Sequence, residues 1–88
     1  MYNGWKNYET WAVKLWMDNE EDSYHYWRER AEETKDNYSL SEELKDWMEE
    51  NFPITTNNIY SDLLSAAISE IDWYEISEAL LDEVKETA

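Results

Sequence analysis

Hydrophobic residues recur along the chain at steps of three and four, the spacing that places side chains on one face of an α-helix. The first such stripe predicts a helix over about residues 8–18. Its predicted inner face consists of Tyr8, Trp11, Ala12, Leu15 and Trp16. Asn7 can cap the helix start, and Glu9 lies in the first turn, where the helix dipole favours a carboxylate. Because Lys14 and Asp18 lie largely off this stripe, we expect the aromatic face to be the spine of the core.

The next two stripes predict a second and a third helix. Asn19 is the expected cap of the second helix, which would end near residues 36–37. Its predicted inner face consists of Tyr24, Trp27, Ala31 and Tyr38. The sequence SLSE at residues 39–42 has the form of a capping box, so the third helix would run from there to about Asn51, before Pro53 stops it. Its predicted inner face consists of Leu40, Leu44, Trp47, Met48 and Phe52.

Two more helices are predicted in the rest of the chain. Residues 54–58 form a predicted loop of capping residues, after which the fourth helix begins. Its predicted inner face consists of Tyr60, Leu63, Leu64, Ala67, Ile68 and Ile71. Asp72 and Glu75 resemble a second capping box, so a fifth helix is expected over about residues 73–86, unless the fourth and fifth helices form one bent helix. Its predicted inner face consists of Trp73, Ile76, Leu80 and Val84, with Leu81 at its edge.

The composition favours the same architecture. One glycine and one proline leave few sharp turns, which favours helices over a meander of strands. Hydrophobic residues make up 42% of the chain and aromatic residues 16%, which supplies a core that disordered chains lack. Because 88 residues are enough for one domain, we predict a compact all-α single domain over residues 1–88, built from four to five short helices.

Several classes of protein are disfavoured by what the chain lacks. It has no cysteine, which excludes disulfides and thiolate chemistry. Its first nine residues contain no apolar signal core, and no apolar run approaches the length of a membrane span. We therefore expect a cytoplasmic protein that does not bind a membrane.

The balance of charge changes the picture most. The formal net charge is −15 and the isoelectric point is about 4.1. Such a surface repels nucleic acid and anionic lipid, and it attracts basic protein surfaces. The charge is concentrated in the second part of the chain, where residues 42–88 contain thirteen acidic and two basic residues. We therefore expect a protein partner and no direct binding to nucleic acid.

Two predicted helices carry outer faces of a single sign. The acidic row of the third helix consists of Glu42, Glu43, Asp46, Glu49 and Glu50, and that of the fifth helix of Glu75, Glu78, Asp82 and Glu86. Carboxylates four residues apart repel each other, and Glu49 and Glu50 lie in a last turn, where the helix dipole disfavours anions. Carboxylates spaced three or four residues apart rise about 4.5–6 Å along a helix, and DNA phosphates advance about 3.4 Å per nucleotide. The rows could therefore occupy a DNA-binding groove, although an acidic surface that only keeps the protein soluble is the alternative.

A second set of residues could contact a partner if the rows do not. It consists of Glu20, Glu21, Asp22, Tyr26 and Tyr74. The first three form an acidic turn, and the two tyrosines lie off the predicted inner stripes, where exposed rings can anchor an interface.

No catalytic, cofactor or metal site is predicted. Carboxylates at residues 18, 20, 22 and 29 match positions of a calcium loop, but Ser23 stands where such a loop needs glycine, and the segment also has the pattern of a helix start. His25 could pair with Glu21 or Glu29 as an acid and base, yet the chain offers no second metal ligand of its kind and no glycine-rich phosphate loop. We therefore expect a protein that is not an enzyme.

The opening of the chain contains Asn-Tyr-Glu-Thr-Trp at residues 7–11, the Leu15-Trp16 pair and Asn19. With these features it resembles a family of small phage and mobile-element proteins, and the likeness extends to residues 26–29, roughly the first third of the chain. The resemblance implies a setting among the accessory genes of phages and plasmids, where inhibitors of host defence are common. It supplies no catalytic residues.

Charge and resemblance together predict a DNA-mimic-type inhibitor. Its expected partner is a host nucleic-acid-binding defence protein, either a CRISPR effector or a restriction enzyme, met in the host cytoplasm. The inhibitor itself is expected to be a monomer or a small homo-oligomer. The alternative is a small structural or regulatory interaction module that does not compete with nucleic acid.

Overall fold

The computed structural model describes residues 1–54 and 56–87, and in this part of the chain five helices follow one another without a β-strand. They are α1 (Tyr8–Asn19), α2 (Glu21–Thr34), α3 (Asn37–Glu50), α4 (Ile59–Ser69) and α5 (Trp73–Thr87). The prediction of an all-α domain is confirmed. The alternative of one bent helix is wrong, because three residues, 70–72, separate the end of α4 from the start of α5. Thr55, in the predicted loop, and Ala88, in the predicted domain, lie outside the described residues.

The helix starts agree with the sequence at some caps and differ at others. The Asn7 side chain caps α1 as predicted, since its Oδ1 accepts a hydrogen bond from the Thr10 backbone N–H at 2.9 Å. Asn19, the expected cap of α2, is instead the last residue of α1. The capping box predicted at residues 39–42 is also wrong, because Asp36 caps α3 by accepting from the Ser39 N–H at 2.9 Å. Here α2 ends early, which frees Asp36 to begin the next helix.

The start of α5 forms half of its predicted capping box. Asp72 Oδ1 accepts from the Glu75 backbone N–H at 3.0 Å. The return bond is absent because both of its groups bind the beginning of the chain. Glu75 Oε1 accepts from the Lys6 N–H at 3.0 Å, and the Asp72 N–H donates to Thr10 Oγ1 at 2.9 Å. The two bonds tie the start of α1 to the start of α5.

The core lies among α2, α3 and α5, with one contribution from α1. Its buried apolar residues are Met17, Trp27, Ala31, Leu40, Leu44, Trp73, Ile76 and Leu80. The inner stripes predicted for α3 and α5 are confirmed, and Trp27 and Ala31 are buried as predicted for α2. Tyr38 is 65% exposed, so its prediction was wrong: α2 ends before it, and Tyr38 lies in the first turn of α3.

Helix α1 buries the face opposite to the predicted one. Thr10, Lys14 and Met17 are buried, whereas Trp16 is 69% exposed and Tyr8 is 54% exposed. The aromatic stripe is therefore not the spine of the core. The reason is that Thr10 and Lys14 have polar partners on the α5 side, and these partners orient the helix.

Helix α4 lies at the periphery of the bundle. The helices that pack closely are α1, α2, α3 and α5, with α3 and α5 in the most extensive contact. Tyr60 and Leu63, which were predicted to face inward, are 71% and 61% exposed, and Ile59 is exposed beside them. Leu64, Ala67 and Ile68 are half-buried. The apolar stripe of α4 is too wide for one contact face, so part of it remains in solvent.

Candidate functional site

Among the described residues, most ion pairs join a basic side chain to a carboxylate on α1 or α2. Arg30 on α2 donates to Glu33 at 2.6 Å, and Arg28 lies 3.8 Å from Glu32. Lys14 on α1 is buried and binds both oxygens of Asp18 at 2.8 Å. The negative charge of the first two helices is thus partly neutralised inside the domain.

Two basic residues also reach across to the predicted acidic helices. Arg30 binds Glu43 of α3 through two parallel hydrogen bonds, of 2.8 Å from Nε and 3.1 Å from Nη2. Lys14 binds Glu83 of α5 at 2.9 Å. These pairs join α2 to α3 and α1 to α5, so the carboxylates of Glu43 and Glu83 help to hold the helices together.

The pKa values of these groups follow from the same contacts. The hydrogen bond from Arg30 is the main reason why the pKa of Glu43 lies below its usual value, with Thr34 adding a second bond. For Lys14, burial alone would lower the pKa, but the hydrogen bonds and charges of Asp18 and Glu83 outweigh it and raise the pKa above its usual value. Both groups are therefore held in their charged forms at neutral pH.

The acidic row of α3 divides into engaged and unpaired members. Glu43 belongs to the pair with Arg30, and Glu42 accepts a hydrogen bond from the Tyr38 hydroxyl, which raises the pKa of Tyr38. Asp46, Glu49 and Glu50 are exposed, and their side chains form no hydrogen bond or ion pair with any described residue. No basic residue lies in the last turn of α3, so two of the three face the unfavourable end of the helix dipole.

The acidic row of α5 divides in the same way. Glu75 is half-buried and accepts from the Lys6 N–H. Glu86 lines a cleft of about 220 Å³ together with Arg28 of α2. Glu78 and Asp82 are exposed, and within the described part of the chain their side chains have no partner. Apart from Glu86 in this cleft, the rows predicted from the sequence thus contain five carboxylates without a partner among the described residues.

We call these five residues the free acidic surface: Asp46, Glu49, Glu50, Glu78 and Asp82. They lie on α3 and α5, the two helices in most extensive contact. A cavity of about 510 Å³ opens beside Glu49, lined by Lys45 and by apolar side chains that include Phe52 and Trp73. An acidic surface next to an apolar recess can bind a partner that combines basic and apolar side chains.

The secondary candidates lie on α2 and α5. Glu20, Glu21 and Asp22 are exposed at the junction of α1 and α2, where Glu21 lies 3.8 Å from His25 Nε2. Tyr26 is 53% exposed and Tyr74 is 52% exposed, which confirms that both rings lie off the core. Both rings are suited to contact a partner, and that of Tyr26 also stacks edge-on against the buried Trp27 at a centroid distance of 4.9 Å.

The predicted alternatives for chemistry find no assembled site. The segment that matched a calcium loop is the last turn of α1 followed by α2, and its Asp18 carboxylate is engaged by Lys14. Among residues 1–54 and 56–87, no group of three or more histidine or carboxylate side chains is placed to hold a metal ion. His25 is exposed on α2, with Glu21 as its neighbour.

One surface was missed by reasoning from the sequence, namely the outward face of α1. Asn7 and Thr10 of the opening motif are structural, because Asn7 Nδ2 donates to the Glu70 carbonyl at 2.6 Å and Thr10 accepts from Asp72. The aromatic members of the motif point the other way, and Tyr8 and Trp11 stack with Tyr2. No hydrophobic stripe in the sequence marks this orientation, because two of the three buried residues of α1, Thr10 and Lys14, are polar.

Comparisons with known proteins place the chain in a family. The model of a family of unknown function, DUF7249, matches residues 1–88, and the chain belongs to that family. No curated protein and no solved structure matches the chain significantly. In the part of the chain that the structure describes, no helix is both long and apolar enough to cross a membrane.

Proposed function

We propose that this protein is a non-enzymatic inhibitor that binds a nucleic-acid-binding protein of host defence, such as a CRISPR effector or a restriction enzyme. The free acidic surface would occupy the groove that normally holds phosphates. The observation that supports this most is that five carboxylates on α3 and α5 are exposed and unpaired, although the chain uses other carboxylates to pair with its arginines and with Lys14. The place of action would be the cytoplasm of the host.

Electrostatics explains how such a surface would act. Carboxylates four residues apart on one helix, as in Asp46 and Glu50 or Glu78 and Asp82, are separated by about 6 Å along the axis. Arginine and lysine side chains that bind phosphate also bind carboxylate, often through two parallel hydrogen bonds. A net charge of −15 steers the inhibitor towards a basic groove and raises the association rate at low salt.

The likeness of the opening motif to phage and mobile-element proteins supports the same proposal by association. It suggests a genetic setting in which inhibitors of defence are common. The charge argument stands without it, because the paired and unpaired carboxylates are distinguished by the structure alone.

The experiment compares two variants that remove the same amount of charge. One carries Asp46→Asn, Glu49→Gln and Glu50→Gln on the free acidic surface. The matched control carries Glu29→Gln, Asp62→Asn and Glu70→Gln, at exposed positions outside the acidic rows and the secondary candidates. Each is titrated against a panel of purified CRISPR effector nucleases and restriction enzymes, with cleavage of plasmid DNA as the readout.

We expect the wild-type protein to inhibit at least one class of nuclease and the α3 variant to inhibit it at least about tenfold less, since loss of a charge pair at an interface costs about 2–5 kcal/mol when the pair is buried. The control variant should retain most of the inhibition. Added guide RNA or target DNA should compete with the inhibitor. Equal loss of inhibition in both variants would show that the total charge matters and the position of the carboxylates does not. If the wild-type protein inhibits no nuclease of the panel, the proposed partner class is rejected.

A second candidate function is an interaction module that does not compete with nucleic acid. The exposed apolar side chains of α4, with Tyr60 at 71% exposure, favour it, because they are suited to an apolar contact that phosphate mimicry does not need. The two functions are distinguished by whether DNA or RNA displaces the partner, once a pull-down from the host has identified it.

A further inference from the structure

A groove runs between α1 on one side and α3 and α4 on the other. The backbones of α1 and α3 do not pack closely, although α1 packs on α2 and α5. Two apolar cavities open in this gap, of about 260 Å³ and 310 Å³. Both are lined by Ala12, Val13 and Met48, so they adjoin at the middle of the groove. We call this feature the α1–α3 groove.

Aromatic and aliphatic side chains line the two ends of the groove. Trp16 and Trp47 line the first cavity, and Trp16 is 69% exposed. Phe52, Leu64 and Ile68 line the second cavity. A contiguous apolar surface of this kind, with an exposed tryptophan at one end, is typical of a protein-binding site.

The charges that line the groove have one sign. Glu9 lines one cavity and Glu20 lines the other, and among the described residues no basic side chain lines either cavity. Glu9 lies in the first turn of α1, and Glu20 is the C-cap of the same helix. The two residues are eleven positions apart, which corresponds to about 16 Å along the helix axis. An occupant that follows α1 would therefore meet a carboxylate near each end of an apolar floor.

We propose that the α1–α3 groove binds an amphipathic helix of a partner protein, with apolar residues on one face and lysine or arginine on its flanks. A gap between packed helices accommodates a third helix by ridges-into-grooves packing. Charge complementarity favours a basic helix over a second copy of this chain, since each copy carries a net charge of −15. The proposal does not depend on phosphate mimicry, because none of the five residues of the free acidic surface lines these two cavities.

The probe is a synthetic helix-forming peptide of about 18 residues, long enough to span both cavities. It contains leucines spaced to form one face and lysines elsewhere. One control peptide has the same composition with the leucines distributed around the helix, and a second has glutamate in place of lysine. Binding is measured by calorimetry at about 0.15 M salt, and the contact surface by amide chemical shifts of the protein.

We expect the amphipathic basic peptide to bind with a micromolar Kd, and the rearranged peptide to bind at least about tenfold more weakly, because only the first can bury its leucines. The glutamate peptide should not bind. The largest shifts should appear at Ala12, Val13, Trp16 and Met48. Equal binding of both lysine peptides, or shifts concentrated on the free acidic surface, would reduce the effect to general charge attraction and overturn the proposal.

Variants of the protein locate the site independently. Ala12→Lys places a long, positively charged side chain in the shared wall of the two cavities, and Ala66→Lys makes the same change at an exposed position of α4 that lines neither. We expect the first to weaken peptide binding at least about tenfold and the second to change it little. Equal effects of the two substitutions would contradict a site in the groove.

A second pair of variants keeps the test valid if Ala12→Lys does not fold, as judged by circular dichroism. Trp16→Ala should weaken the peptide complex, whereas Tyr74→Ala, which removes another half-exposed ring, should not. Light scattering tests the other occupant. A dimer that Trp16→Ala dissociates would show that the groove is filled by a second copy of the chain, and it would overturn the proposal of a basic partner helix.

Discussion

The carboxylates around α2 and those on the outer faces of α3 and α5 have the same chemistry but different surroundings. Around Arg30, two carboxylates satisfy one guanidinium, and its pair with Glu43 fastens α3 to α2. On the last turn of α3, Glu49 and Glu50 form no ion pair with a described residue, and the helix dipole is unfavourable to both. The first group contributes to the fold, whereas the second weakens it.

This difference shows which charges are available to a partner. A carboxylate that already accepts two hydrogen bonds from arginine must lose them before it can bind elsewhere. An exposed and unpaired carboxylate loses only water. The carboxylates that a partner can bind without breaking internal contacts are therefore those of the free acidic surface, and substituting one group at a time tests this distinction.

The largest effect is expected from Lys14→Met, which retains the length of the side chain and removes its charge. Asp18 and Glu83 would lose their common cation, and the link between α1 and α5 would be broken. Breaking a fully buried pair costs about 3–5 kcal/mol, and because both carboxylates keep about two-fifths of their exposure, we expect about 1–3 kcal/mol here. Urea denaturation measures the loss.

Lys85→Met is the matched control for this substitution. Lys85 is exposed on α5, and within the described residues its side chain forms no ion pair, so the free energy of unfolding should change by less than about 0.5 kcal/mol. If Lys14→Met were as mild as the control, the buried ion pair would not hold α1 in place.

A smaller effect, with a defined pH dependence, is expected from Glu43→Gln. Because Arg30 lowers the pKa of Glu43 in the folded protein, the carboxylate stabilises the fold at pH values above its usual pKa near 4.5. This contribution is lost as the pH falls through the lower pKa of the folded state. The wild-type protein should therefore melt at a higher temperature than the variant at pH 7, and the difference should shrink below about pH 4.

Thermal melting followed by circular dichroism at several pH values measures this difference. Glu50→Gln is the control, since Glu50 has no partner among the residues that the structure describes and its substitution should not destabilise the protein at pH 7. A constant difference between Glu43→Gln and wild type across this pH range would contradict the assigned role of Arg30.

The smallest effect, of opposite sign, is expected from the triple variant Asp46→Asn, Glu49→Gln and Glu50→Gln. Removing repulsion between neighbouring carboxylates should stabilise the fold by a few tenths of a kcal/mol per pair. The wild-type melting temperature should rise with added salt, which screens repulsion over about 10 Å at 0.1 M, and the variant should respond less. Thermal melting between low and moderate salt measures both responses. If the wild-type protein and the variant respond identically, the repulsion that destabilises the fold does not arise from these three carboxylates.

The sequence predicted α3 and α5 well because each has a single stripe of strong apolar residues. Leu40 and Leu44 on α3, and Ile76 and Leu80 on α5, are all buried as predicted. Where one face is clearly more apolar than the others, burial of that face dominates the orientation of a helix. The same reasoning identified the acidic outer faces, which lie opposite these stripes.

The same pattern misled the prediction for α1, whose most apolar face is not the one that is buried. The aromatic stripe is the more apolar, yet Thr10 and Lys14 lie inside and Trp16 outside. The division of the acidic rows into paired and unpaired members was equally hidden, because Glu43 looks no different from Glu49 in the sequence. In each case the deciding partner is a polar group from another helix.

Helix positions and the overall acidity follow from local properties of the chain, since periodicity, caps and charge are set by neighbours within a few residues. The orientation of α1 follows instead from Glu83, which binds Lys14 across 69 residues, and from the Asp72 N–H, which binds Thr10 across 62. Burial of a lysine is unfavourable until such partners surround it, and they do so only once the helices have packed. The α1–α3 groove therefore exists only in the folded protein, because it is formed by the faces that this packing leaves uncovered.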